Sequence, residues 1–345
     1  MSLAVVIHAA RDLRVEEMPD QEIGSREVAV RIGAGGICGS DLHYYQDGGF
    51  GTVRVRHPMV LGHEIAGTVA AVGAEVTAVQ PGDKVAVNPA LPCRACRYCL
   101  MGLATQCLNV RFFGSAMRMP HVNGGFQQRL VADERQCMRV PGDMPLEAAA
   151  FAEPLAVCLH AVERAGPLMG RRVLITGAGP IGLLTLLVAR HAGAGEVVIT
   201  DVIARALHTA RQLGADAAVD VAANAEGVAP YARDKGVFDV VFEASGNPAA
   251  LQQAIGLVRP RGVLVLIGLG PESPLPLVSL VTKELDVRGT FRFDREFATA
   301  VDALASGRID PMPLLTQTMP IANAVEAFEL VGDRSRALKV QLSFA

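Results

Sequence analysis

Four of the chain's seven cysteines crowd into residues 92–107, "PCRACRYCLMGLATQC", with the spacing C-x2-C-x2-C-x7-C. Cys93, Cys96, Cys99 and Cys107 admit two chemistries, a disulfide or redox cluster and a metal cage. Bridges between residues this close would be strained and would staple almost no chain. In a reducing cytosol, clustered thiols are more often ligands than bridges. Four thiolates suit tetrahedral zinc, and a filled four-thiolate shell leaves no position for water or substrate. A structural zinc is therefore favoured, and the chemistry of the chain is expected elsewhere.

A second set of donors is scattered: Cys38 in "GICGSDLH", His63 and Glu64 in "LGHEIAG", and Glu153 in "FAEPLAV". Each alone reads as a core residue. Together they form a mixed sulfur, nitrogen and oxygen set with fewer than four firm ligands, the makeup of a catalytic zinc with a position left open. Cys137 and Cys158 read as small core residues. His57, His160, His191 and His208 have no functional context.

The third chemical element is "VLITGAGPIGLLTLLVAR", in which Gly177, Gly179 and Gly182 form G-x-G-x-x-G between a strand and a helix. With Pro180 and Ile181 they make a turn whose backbone a pyrophosphate can approach, at a helix start rich in free N–H groups. Asp201 closes the next strand, 19 residues after Gly182, where it can accept hydrogen bonds from ribose hydroxyls. Its charge would repel a 2′-phosphate, so NAD is expected over NADP. Arg205, just beyond, makes this a preference rather than an exclusion. The alternative is a glycine-rich structural turn with a capping Asp.

The elements that must position these residues fall into two textures. Residues 1–150 are short alternating strands and Gly/Pro turns, such as "EVAVRIGAGGIC" and "GTVAAVGAEVTAVQPGDKVAV". Residues 151–285 alternate apolar strands with helices, which implies a doubly wound parallel sheet, an α/β fold. Residues 286–345 turn irregular and end in the strand-like "ALKVQLSFA", read as a return to the first domain. The cleft between two such domains is the expected active site. Half of the residues are apolar and the mean hydropathy is +0.31, yet no apolar run approaches the ~18 residues of a membrane span. A net charge of −3, no basic tract and no Trp argue against nucleic acid as a partner. "MSLAVVIHAARDLRVEE" has no signal-peptide pattern, so the cytoplasm is the expected location.

The stretch "GHEIAGTVAAVGAEV" matches G-H-E-x2-G-x5-G-x2-V throughout, and the chain resembles the zinc-containing medium-chain alcohol dehydrogenase superfamily along essentially its whole length. "CGSDLHYY" and "EPLAV" are similar to its sorbitol/polyol dehydrogenase branch, and "RFFGSAMRMPHVNGGF" resembles L-idonate 5-dehydrogenases. The resemblance implies a GroES-like β-rich catalytic domain split around a Rossmann domain, two zinc ions per subunit and a homodimer or homotetramer. It implies Cys38, His63 and Glu64 as catalytic zinc ligands, with Glu153 binding directly or through water. Asp41 is then the carboxylate that orients the liganding histidine. Ser40 and His43 match a proton relay, and Arg292, Phe293 and Tyr44 match residues lining the substrate cleft.

The reaction implied is hydride transfer from a secondary alcohol to NAD. The substrate expected is L-idonate, oxidised to 5-keto-gluconate. The cations of residues 111–121 (Arg111, Arg118 and His121) are the expected source of discrimination for a carboxylate. Sorbitol or xylitol oxidation and L-threonine 3-dehydrogenation are the alternatives within the fold. A zinc-stabilised nucleotide-binding scaffold is the alternative outside enzymes.

Overall fold

The computed structural model describes residues 1–344. The chain divides into two compact units, one formed by Met1–Glu153 with the chain from Phe297 onward, the other by Pro154–Glu296. The polypeptide thus leaves the first unit once and comes back to it.

In the first unit a mixed sheet runs in the order Cys137–Arg139, Lys84–Val87, Glu64–Val72, Glu27–Gly36, Lys339–Ser343, Leu315–Pro320, with Arg129–Asp133 also pairing to Glu27–Gly36. The strand Glu27–Gly36 is central because it is paired along both edges, and its residues from Val28 to Val30 are fully buried. Its register puts Gly36 opposite Glu64 on one side and opposite Gln341 on the other. The sheet's C-terminal strand therefore comes from the last residues of the chain. Phe126, Phe328 and Phe344 pack at the centre of this unit.

In the second unit six parallel strands lie in the order Ala217–Asp220, Glu196–Asp201, Arg172–Thr176, Phe238–Glu243, Val258–Leu266, Asp286–Gly289. Numbered along the chain this order is 3-2-1-4-5-6, that of a dinucleotide-binding Rossmann sheet. Near-continuous burial along Arg172–Thr176 and Glu196–Asp201 reflects helices on both faces. Asp286–Gly289 is the edge strand of this sheet, so residues 286–296 belong with the nucleotide-binding unit rather than with the C-terminal tail. Their polar, irregular sequence hides a strand because an edge position buries little. Among the described residues no helix is long and apolar enough to cross a membrane.

Candidate functional site

The cysteine run folds around a short helix, Arg97–Leu100, and all seven cysteines of the chain are free of disulfides. The sulfurs of Cys93, Cys96, Cys99 and Cys107 lie within 4.8 Å of one another. Cys107 Sγ is 3.5 Å from Cys93 Sγ and 4.0 Å from Cys96 Sγ. These separations bracket the edge of about 3.8 Å expected of a sulfur tetrahedron with Zn–S near 2.3 Å. Backbone N–H groups point at the sulfurs: Cys96 donates to Cys93 Sγ (3.3 Å), and Cys93 and Asn109 donate to Cys107 Sγ (3.2 and 3.3 Å). The N–H groups of Ala95 and Cys96 bring the Cys93 thiol down to about 6, so it gives up its proton readily. The donor set fits a closed tetrahedral zinc.

The second cluster is built on the central sheet. Cys38 follows the strand Glu27–Gly36 and caps the helix Gly39–Asp47, while Glu64 opens the neighbouring strand and His63 precedes it. Ligand atoms of Cys38, His63 and Glu64 lie within 4.8 Å of one another. His63 and Glu64 are 5% and 1% exposed, and His63 Nδ1 has no hydrogen-bond partner among the described residues. A buried imidazole beside a thiol and a buried carboxylate is what a metal site looks like when read from its donors.

Asp41, fully buried on the first turn of that helix, accepts hydrogen bonds from the backbone N–H of Cys38 (3.0 Å) and of Gly62 (3.3 Å). Its Oδ1 stands 3.6 Å from His63 Nδ1. Burial opposes a proton on His63, but the charges of Asp41 and Cys38 outweigh it and hold the ring's pKa well above the ordinary value. Glu153, 5% exposed, lies outside the three-donor cluster but within its field. Burial pushes its carboxyl up to about 7, with the Glu64 charge adding to the shift and His63 opposing it.

Ser40 is half-buried on the helix that Cys38 caps. His43 lies one turn along, 45% exposed at its side chain, with Nδ1 3.3 Å from Asp47 Oδ2. Tyr44 is 2% exposed, and its hydroxyl accepts the N–H of Ala116 at 3.0 Å. This phenol therefore anchors residues 111–121 to the helix. Phe112 of the same segment packs on the His63 ring, centroids 5.6 Å apart. Arg118 donates to the carbonyls of Asn109 (2.6 Å) and Val110 (3.3 Å), which ties the segment to the end of the cysteine lobe. His121 accepts the Arg56 N–H at 2.9 Å, and burial lowers its pKa, so near neutrality it adds no positive charge.

In the second unit the glycine turn lies between the strand Arg172–Thr176 and the helix Pro180–His191, which has Gly179 as its N-cap and Pro180 at its start. Gly177 has φ +90°, and a Cβ on Gly182 would sit 1.8 Å from the Gly177 carbonyl oxygen. Neither position accepts a side chain. Ile181 is half-buried on the helix's first turn. Asp201 accepts the N–H of Ala178 (2.6 Å) at one oxygen, and those of Val202 (2.7 Å) and Ile203 (3.0 Å) at the other. The carboxylate is thus fixed against the turn before any cofactor arrives, and Arg205 is exposed on the following helix. The turn and its carboxylate fit a dinucleotide. Arg292, with φ +56°, lies over the Phe291 ring at 4.8 Å, and Phe293 is buried; both belong to this unit.

Two groups were not singled out in the sequence. Glu243, at the end of its strand, accepts the N–H groups of Ser245 (2.9 Å) and Gly246 (3.1 Å), a second loop that packs on Gly177. Lys339, 2% exposed, reaches Glu64 from the C-terminal strand. Burial opposes its charge, and Glu64 and Cys38 overcome that opposition. The available signal was a lone charged residue in a strand whose other members carry no charge.

Residues 24–142 match the alcohol dehydrogenase GroES-like domain family, and residues 180–306 match the zinc-binding dehydrogenase family. The chain is 44% identical to L-idonate 5-dehydrogenase (NAD(P)(+)) of Escherichia coli (strain K12), over 91% of each protein. It is 39% identical to the sorbitol dehydrogenase of Gallus gallus, over 99% of this chain and 96% of that one. The crystal structure of L-idonate 5-dehydrogenase from Escherichia coli K-12 superposes with a TM-score of 0.95 at 41% identity, covering 99% of this chain and 98% of the other. With a GroES-like unit interrupted in sequence by a Rossmann unit, and donors for two metals in the first of them, the chain belongs to the zinc-dependent medium-chain alcohol dehydrogenase family.

Proposed function

We propose that the chain oxidises a secondary alcohol of a sugar acid with NAD, and that L-idonate, giving 5-keto-gluconate, is its substrate. The observation that carries the chemistry is the cluster of Cys38, His63 and Glu64, the last two of them buried. The support for the substrate is the likeness, over nine-tenths of the chain, to a protein named for that acid. Zinc bound there supplies Lewis acidity, which lowers the pKa of an alcohol so that its proton can leave near neutral pH. The chain's residues then have separable tasks. With Nδ1 turned toward Asp41, His63 keeps Nε2 for the metal. Ser40, two residues past Cys38, accepts the departing proton, and His43 passes it toward solvent. Gly177, Gly179 and Gly182 receive the pyrophosphate, and Asp201 selects the unphosphorylated ribose. Arg292, with Phe293, is the proposed substrate-binding cation. Met1–Glu153 with the C-terminal segment forms the catalytic domain, and Pro154–Glu296 the NAD-binding domain. The chain works as a cytoplasmic homo-oligomer, a setting that suits seven free thiols.

A second reading is a sorbitol- or xylitol-type polyol dehydrogenase, favoured by 39% identity to a sorbitol dehydrogenase across almost the entire chain. The structure also leaves fewer cations for a carboxylate than the sequence suggested, since Arg118 is tied to carbonyls and His121 is neutral. NADH formation on a panel of L-idonate, sorbitol, xylitol and L-threonine separates these readings. L-Idonate is expected to give the highest kcat/KM. Faster oxidation of sorbitol or xylitol would move the assignment to the polyol reading.

A further inference from the structure

Lys339 is the chain's most unusual cation. The sequence holds four lysines against 28 arginines, and one of those four is 2% exposed at the start of the strand Lys339–Ser343. Its Nζ donates to the Ile37 carbonyl at 3.0 Å, next to Cys38, and forms an ion pair with Glu64 Oε2.

The sheet register explains how two long side chains from non-adjacent strands meet. Glu64–Val72 and Lys339–Ser343 flank Glu27–Gly36, so they stand two strand spacings apart, about 9.6 Å. Glu64 is opposite Gly36 across one ladder and Gln341 is opposite Gly36 across the other. Lys339, two residues before Gln341, points to the same face of the sheet. Glu64 and Lys339 therefore reach toward each other over Gly36. A Cβ on Gly36 would lie 2.2 Å from Glu64 Oε2 and 3.0 Å from Lys339 Cε. The gap is filled by the ion pair, and any side chain at position 36 would break it.

We propose that Lys339 is a positioning residue of the metal centre: it holds one oxygen of Glu64 and competes with the bound metal for that carboxylate. This rests on the assignment of Cys38, His63 and Glu64 as ligands. Two cations then share one acid. While the metal is absent, Lys339 balances the buried charge and keeps Glu64 in place. Once the metal is bound, Lys339 draws electron density from Glu64, weakens its donation and leaves the metal more electrophilic. The coupling between Lys339 and the metal is antagonistic, and linkage requires that removing one strengthens the hold of the other. A Lys suits this role better than Arg because a compact point charge fits beside one oxygen without displacing the other.

The test is metal affinity, measured by chelator competition on the full chain, for the metal that Cys38→Ser loses. In Lys339→Met the affinity is expected to rise about tenfold or more, and Tm is expected to fall further for the metal-free protein than for the loaded one. Lys339→Arg, which keeps the charge, should return the affinity toward that of the unmodified protein. An affinity that is unchanged or weaker in folded Lys339→Met overturns the proposal. If that variant does not fold, the unmodified protein labelled with 15N-lysine decides. The signal of its one buried ammonium should shift when zinc is added, and a signal indifferent to zinc overturns the proposal. Should Cys38→Ser keep both metals, the ligand assignment itself fails, and the role of Lys339 with it.

Discussion

Replacing Cys38 by Ser removes a donor from an open site that the surrounding sheet has already assembled through the Asp41 hydrogen bonds. The variant is expected to fold with a Tm within a few degrees of the parent, to lose one of two zinc ions and to show no turnover. Elemental analysis alongside an NADH assay checks this, and an active variant retaining two metals would refute the ligand role. Asp201 gives a second prediction. Its carboxylate is both the proposed ribose acceptor and the partner of three backbone N–H groups. Asp201→Ala should narrow the preference for NAD over NADP by removing charge repulsion. It should also raise KM for both cofactors, because the Ala178 N–H of the glycine turn loses its partner, at a cost of about 1–3 kcal/mol. A parent enzyme equally efficient with both cofactors would show that Asp201 is not the selector. Most residues of this site were readable from their types and spacing, since thiols, a His-Glu pair and a glycine turn are rare enough to stand out. Lys339 was not, because its meaning depends on two ladders that bring positions 64 and 339 to one side of Gly36. Tyr44 and Arg118 were readable as polar side chains, but their partners, Ala116 N–H and the carbonyls of Asn109 and Val110, are set by loop geometry that spacing does not encode.

Elements carry a different kind of prediction. The cysteine lobe has one four-residue α-helix, one turn of 3-10 helix at Ala104–Gln106 and little apolar burial of its own, with Cys93 exposed and Leu100, Met101 and Leu108 turned to solvent. Its shape must come from the metal. Cys99→Ser should therefore cost stability, seen as a lower Tm or as proteolytic cleavage within residues 92–107, whereas Cys38→Ser should not. A Cys99→Ser protein as stable as the parent would remove the structural role.

Within the second unit, His160 Nδ1 and Glu296 Oε1 stand 2.8 Å apart. Burial opposes ionisation of Glu296, yet His160 and the Asp294 N–H bring its pKa down from 4.5 to about 2. A depressed carboxyl contributes stability that is present above its unfolded pKa and lost as pH falls through the folded one. Glu296→Gln should thus be less stable than the parent at pH 7 by about 2–3 kcal/mol, with the gap closing as the pH approaches about 2. Thermal unfolding of both proteins from pH 7 to pH 3 measures it, and a pH-independent gap would exclude the ion pair as its cause. The parallel sheet was legible in the sequence because its inner strands are buried on both faces and read as apolar runs. Asp286–Gly289 was missed for the opposite reason, since an edge strand with two charged residues in four gives no periodic signal.

At the scale of the whole molecule, that edge strand raises the question of what covers it. Asp286–Gly289 pairs only with Val258–Leu266 among the described residues, so its outer backbone groups offer a template for another strand. Beside it the helix Leu277–Thr282 buries none of its six residues, although four are Leu or Val. Leu277, Val278 and Val281 are 67%, 76% and 74% exposed, and Leu269 adds a fourth apolar side chain at 65%. Leu280 packs against the core of its own unit, whereas the three exposed residues gain nothing in a lone monomer; a second copy would cover them and extend the sheet by the same contact. A symmetric interface needs about 800 Å² from each partner, more than one short helix supplies, so strand and helix must act together. Light scattering at micromolar concentration is expected to give a mass at least twice the 36.3 kDa of the chain. Val278→Asp combined with Val281→Asp buries charge in that contact and should halve the mass, turning a dimer into monomers or a tetramer into dimers. Leu100, Met101 and Leu108 of the cysteine lobe are exposed as well, and a tetramer would use this lobe as a second interface. In that case Met101→Glu should leave dimers that the valine variants then split. A parent protein that runs as a monomer, or valine variants with unchanged mass, would show that this edge meets no second copy.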